Sequence, residues 1–109
     1  MYTEAERSQI AQTIICQLGG LGKIRAMVNG RDFLVLDAGV QFTFSGKRGM
    51  NKCLVKLNTQ DTYDVEFWYC KLNKKTYEFK SEMKKEYNDV YADMLIDVFE
   101  STTGLYLSL

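Results

Sequence analysis

From Lys23 to Met83 the apolar residues of this chain recur at every second position, in short runs broken by turn-forming residues, whereas the segments on either side recur at helical spacing. A period of two puts successive side chains on opposite faces of a strand, and a period near 3.6 lines them along one stripe of a helix. The switch from helix to strands and back therefore limits the chain to an α+β arrangement.

Thr3 and Glu6 have the T-x-x-E spacing of a capping box, in which each side chain satisfies a free backbone N–H at a helix start. A helix is expected over about residues 4 to 18, with Ile10, Ala11, Ile14, Ile15 and Leu18 on its buried face and Gly19-Gly20 as its stop. Ile24, Ala26 and Val28 then alternate with Arg25 and Met27, and "NGRD" supplies a hairpin turn into "FLVLD". "VQFTF", the basic loop "SGKRGMNK", "CLVKL", "TYDVEFWYCK" and "TYEFKSEM" follow, with "NTQD" and "NKK" as turns. Five or six strands at hairpin distance imply an antiparallel meander, one face wet and the other covered by helices. A second helix is expected over about residues 89 to 102, with Asn88 as N-cap and Gly104 as stop. Its apolar face is Val90, Tyr91, Met94, Leu95, Val98 and Phe99, and Leu105 is expected to close onto Phe99. The whole of residues 1 to 109 reads as one domain, with Ile14, Leu18, Phe42, Val55, Phe67, Leu95 and Phe99 in its core.

Chemistry is constrained by what the chain lacks. It has no histidine, which removes imidazole as base or metal ligand, and with it most hydrolytic triads. Cys16, Cys53 and Cys70 are odd in number and widely spaced, so they suggest neither a disulfide framework nor a zinc site, and all three are expected to be buried thiols. "MYTEAERSQ" has neither the basic start nor the apolar run of a signal peptide, and no segment approaches a membrane span, so the sequence reads as cytoplasmic with no membrane partner. No cofactor is implied.

The formal net charge is zero but divided. Residues 20 to 85 hold thirteen Lys and Arg against seven acids, whereas residues 86 to 109 hold five acids and no base. Asp89, Asp93, Asp97 and Glu100 fall at helical spacing; such a row is more often a solvated helix face, but like charges so placed cost about 0.2 to 0.5 kcal/mol per pair, which makes it a candidate acidic docking stripe for a basic protein partner. The basic loops offer a second surface, in which Lys47, Arg48, Lys52, Lys74 and Lys75 would meet phosphates and Trp68 a base, although Asp64 and Glu66 lie on Trp68's face. "GVQFTFSGKRG" fails as a phosphate loop, because Arg48 stands where a magnesium-binding hydroxyl belongs and the residues before it alternate as a strand. Asp64 with Glu78 and Lys80 resembles the D…E-x-K set of metal-dependent nucleases, but alternating Glu and Lys is also what a solvated strand face requires. On balance the residues point to a non-enzymatic protein that binds a macromolecule, a protein rather than nucleic acid, and leave its oligomeric state open.

"QLGGLGKIRAMVNGRDFLVL", "VKLNTQDTYDVEFWY" and "VYADMLIDVFESTTGLYLSL" resemble a family of small proteins of bacteriophages and other bacterial mobile elements. The shared features are Leu18 to Gly20, Asp61 to Phe67, Asp93 to Leu95 and Thr103 to Tyr106. The resemblance implies a biological setting, an accessory protein of a mobile element, and no mechanism.

Overall fold

The computed structural model describes residues 2–46 and 48–107. Helices α1 (Glu4–Gln17) and α2 (Leu21–Val28) precede strands β1 (Arg31–Val35), β2 (Gly39–Thr43), β3 (Lys52–Leu57), β4 (Tyr63–Asn73) and β5 (Glu78–Val90). A 3₁₀ turn (Ala92–Met94) leads into the closing helix α3 (Leu95–Thr103). The strands form one antiparallel meander in the order β1-β2-β3-β4-β5, as the alternating runs and short turns require.

The capping box forms in full, Thr3 N–H donating to Glu6 Oε1 at 3.0 Å and Glu6 N–H to Thr3 Oγ1 at 3.2 Å. Ala11, Ile14 and Leu18 are buried against the sheet, with Ile10 and Ile15 packed at the margin. The inward row of the sheet is Val40 and Phe42 of β2, Phe44 just beyond it, Cys53 and Val55 of β3, and Tyr63, Val65 and Phe67 of β4. Phe99 of α3 drops into this row, its ring centroid 5.2 Å from Phe44, 6.0 Å from Phe67 and 6.1 Å from Phe42. All seven expected core residues are buried, none more than 1% exposed.

Residues 21–28 depart from the expected first strand. Ile24 and Val28, four apart, are buried while Ala26 between them is exposed, so the segment obeys the helical period and not the alternating one. Asn29 then takes a left-handed conformation (φ 54°) and Gly30 N–H returns to the Ile24 carbonyl at 3.0 Å, so Asn-Gly ends a helix where a hairpin turn was expected.

The second correction is at the other end of the sheet. β5 runs on to Val90, which pairs with Tyr63, so Asn88 is a strand residue and not an N-cap. Tyr91 is extended, and α3 begins only at Leu95. Leu95 and Phe99 are buried as expected, whereas Tyr91 and Met94 are 62% and 46% exposed. The C-terminal stop is as read: Gly104 is left-handed (φ 75°) and its N–H donates to the Glu100 carbonyl at 2.9 Å.

The cysteines separate into three environments. Cys53 is buried in β3, Cys70 is half-buried on the uncovered side of β4, and Cys16 is exposed on α1, which corrects the expectation of three buried thiols. Burial in apolar surroundings pushes the Cys53 thiol well above its ordinary value near 9. A disulfide-exchange reagent on the native chain should therefore label Cys16 first, Cys70 slowly, and Cys53 only at the rate of unfolding, as followed by mass spectrometry of the labelled peptides. Labelling of Cys53 in step with Cys16 would refute this placement. The sign of the linkage also follows: above about pH 9 the unfolded chain releases a proton that the folded chain retains, so stability falls as the pH rises further.

Candidate functional site

The acidic residues do not share one helix face. Asp89, one residue before the end of β5, has a left-handed conformation (φ 56°) and belongs to a turn network instead. Its Oδ1 accepts from Asn58 Nδ2 at 3.2 Å and from Thr62 Oγ1 at 3.1 Å, while its N–H donates to Asp64 Oδ1 at 3.3 Å. Asn58 organises this corner, its Oδ1 accepting from the N–H groups of Gln60 and Thr62. Glu100 is also engaged, Oε2 accepting the Leu107 N–H at 2.8 Å and so holding the chain end that seats Leu107 in the core. Asp93 lies in the 3₁₀ turn and Asp97 in the first turn of α3, both exposed, and these two alone remain of the expected stripe.

The basic set is dispersed as well. Lys47 lies outside the described residues. Arg48 turns its guanidinium onto the end of α3, Nη1 donating to the carbonyls of Ser101 at 3.0 Å and Thr102 at 3.5 Å, where a cation complements the helix dipole. Lys52 is half-buried on β3 opposite Trp68, and Lys74 and Lys75 are exposed in the turn between β4 and β5. Lys74 lies six positions along the chain from Trp68, about 20 Å. The nuclease set is broken by the same geometry: Glu78 pairs with Asn73, nine residues along β4 from Asp64, a separation of about 30 Å. Among the described residues no three His, Cys, Asp or Glu side chains gather where they could hold a metal ion.

What the fold does bring together is an uncovered ribbon. β3 pairs with β4 only from Tyr63 to Trp68; beyond it the Asn51 side chain still bonds the Cys70 carbonyl at 2.7 Å and N–H at 2.8 Å, and β5 is the one strand beside Tyr69–Asn73 among the described residues. Every residue of β5 from Glu78 to Asp89 is exposed. The ribbon is nonetheless two-sided. Continuing the alternation of β4, Tyr69, Lys71 and Asn73 follow the covered face, opposite Glu82, Lys80 and Glu78. The other side pairs Leu72 with Phe79, Cys70 with Ser81 and Trp68 with Met83. Leu72, Phe79 and Met83 are 50%, 63% and 44% exposed there, and an open depression beside Phe79 is lined by Lys52, Leu54, Trp68, Cys70 and Ser81 as well.

Trp68 is no free stacking platform, for its Nε1–H donates to Glu66 Oε1 at 2.9 Å and the ring is half-buried. Glu66 in turn meets Lys56 at 3.3 Å, which neutralises one of the two acids on this face. Leu72, Phe79 and Met83 escaped the sequence reading because "YEFKSEM" reads as an ordinary strand, and nothing in its alternation says which side the helices cover. Comparison with protein-family models, with curated proteins and with solved structures found none that matches this chain.

Proposed function

We propose that the chain is a non-enzymatic binding module that engages another polypeptide through the β4–β5 ribbon, in the service of a bacteriophage or related mobile element. One observation carries the reading: Leu72, Phe79 and Met83 stand exposed on one side of a ribbon whose outer strand, β5, has no strand on its far edge among the described residues. A polypeptide can cover the apolar row and add backbone hydrogen bonds along the open edge, the two contributions that strand addition combines. A phosphate backbone gains little from Leu72 or Met83, and Glu78, Glu82 and Glu86 on β5 oppose it. The mobile-element setting has the resemblance of Leu18 to Gly20, Asp61 to Phe67 and Thr103 to Tyr106 as its support.

Nucleic acid is a second reading, favoured by Lys71, Lys74, Lys75 and Lys80 gathered on the ribbon beside Tyr77 and Phe79. The two separate in one experiment. The full chain and a Leu72→Ser/Phe79→Ser variant are used to capture partners from nuclease-treated bacterial lysate, and both are passed over a DNA column. A polypeptide held by the parent and lost from the variant is the expected result. Retention on DNA that weakens steeply with salt, with no polypeptide captured, would replace this reading with the second.

A further inference from the structure

Resting on the ribbon as the binding surface, we infer that the polypeptide it takes is a second copy of this chain, paired antiparallel along β5 about a two-fold axis at Ser81. β5 is the last strand of the sheet and pairs with β4 alone among the described residues, so its outer edge is open along the exposed stretch from Glu78 to Asp89. Such an edge invites another strand unless its side chains forbid it. A row of lysines would forbid self-pairing, because like charges would meet at every register. The row on β5 alternates in sign: Glu78, Lys80, Glu82.

Antiparallel pairing about a two-fold axis sets residue i opposite a residue whose number, added to i, is constant. With the axis at Ser81, Lys80 of each copy faces Glu82 of the other, and Phe79 of each faces Met83 of the other. Both pairs keep to one side of the sheet, since Lys80 and Glu82 share the covered face's side and Phe79 and Met83 the open one. With the axis one residue away at Glu82, that glutamate would face itself and Lys80 would face Lys84. The pattern thus disfavours the neighbouring register, and the register centred on Met83, which would also set Glu82 against Lys84, runs across the bulge at Lys84.

Two further features agree with this axis. The uninterrupted pairing of β4 with β5 covers Glu78 to Met83, and the bulge that follows, where Trp68 pairs with Met83 and Phe67 with Lys85, ends the straight stretch just past the segment that self-pairing needs. Within one copy, Lys71 and Lys80 lie directly opposite each other, and neither has an ion-pair partner among the described residues. Like charges so placed are destabilising. Glu82 of a second copy, exchanging its exposed contact with its own Lys84 at 3.2 Å for one with Lys80, relieves them. The contact is a single strand edge with two Phe–Met pairs, well below the ~1,600 Å² of a standard interface, so the association is weak and depends on concentration.

The test is sedimentation equilibrium of the full chain from about 5 to 500 µM, a range suited to an interface of sub-standard area. The mass is expected to rise from the 12.6 kDa of one chain toward twice that value. Lys80→Glu and Glu82→Lys each place like charges at both ends of the contact and should remain monomeric. An equimolar mixture of the two, and the double variant carrying both changes, restore every opposite pair and should associate again. These positions are exposed in the single chain, so circular dichroism should be unchanged throughout. A parent that stays monomeric across the range overturns the inference, as does a dimer indifferent to the charge reversals. If a monomeric parent still captures another polypeptide through Leu72 and Phe79, the ribbon keeps its binding role and the second copy alone is discarded; if it captures nothing, both fall.

Discussion

Phe99→Ala is expected to lower the stability of the fold by about 3 to 5 kcal/mol, measured as a fall in the urea midpoint at unchanged slope. Phe99 is 1% exposed and its ring lies among Phe42, Phe44 and Phe67, side chains from β2, the segment just after it, and β4. Removing it deletes the piece of α3 that reaches the centre of the sheet, and three rings on strands cannot close the space without moving the strands that carry them. A domain of this size holds roughly 5 to 15 kcal/mol in all, so the variant should be close to half unfolded under mild denaturant. Tyr91→Ala and Met94→Ala, on the stretch that was expected to belong to the same helical face, should each cost well under that, since both side chains are largely in solvent. A Phe99→Ala loss no greater than theirs would mean that α3 does not seal the core.

The contrast between Phe99 and Tyr91 also locates what the sequence can convey. Residues buried on one face leave a period, and α1, β2, β3 and the first half of β4 are legible because the sheet covers one side of α1 and the helices cover one side of the strands. Over 21–28 two periods coexist: Ile24, Ala26 and Val28 alternate, while Ile24 and Val28 are also four apart. Eight residues are too few to separate the periods, and only the tertiary fact that Ala26 is exposed decides for the helix. Asn29-Gly30 is equally ambiguous, because both a tight hairpin and a helix stop ask for a left-handed residue at that place.

The uncovered ribbon was hidden for a different reason. A strand exposed on both sides carries no burial pattern, so "YEFKSEMKKEYND" does not announce where it ends, and the acids beyond it were counted onto a helix that begins six residues after Asp89. Charge spacing is informative only once an element's identity is known. Asp89 sits in the Asn58 corner and Glu100 on the Leu107 N–H, each with a structural duty that its neighbours in the sequence do not reveal.

Gly39→Val should be as damaging as the loss of Phe99, by the opposite cause. Gly39 opens β2 and is buried opposite Lys56 of β3, where a Cβ would run into the Val55 carbonyl oxygen and come within 2.8 Å of the Lys56 Cα. Both obstacles are backbone, so no rotamer change can make room; either β2 pulls away from β3 or the pairing slips. Slippage by one residue would send Val40 and Phe42 to the wet face, which the core cannot bear. Separation instead breaks the hydrogen bond that flanks this position between the two strands, Leu57 N–H to the Ala38 carbonyl at 2.7 Å. Overpacking commonly costs about 1 to 3 kcal/mol where side chains can yield, and a clash with fixed backbone on a central strand should exceed about 3 kcal/mol. Gly39→Ala should lie between parent and valine variant, since the first carbon makes the worst contact and the two added methyls worsen it. Gly22→Ala is the control: nothing lies within 4 Å of its Cβ position, and alanine within α2 should raise stability by up to about 1 kcal/mol. A Gly39→Val chain that unfolds at the parent's midpoint would show that β2 and β3 do not approach so closely at this point, and the register of the central sheet would have to be redrawn.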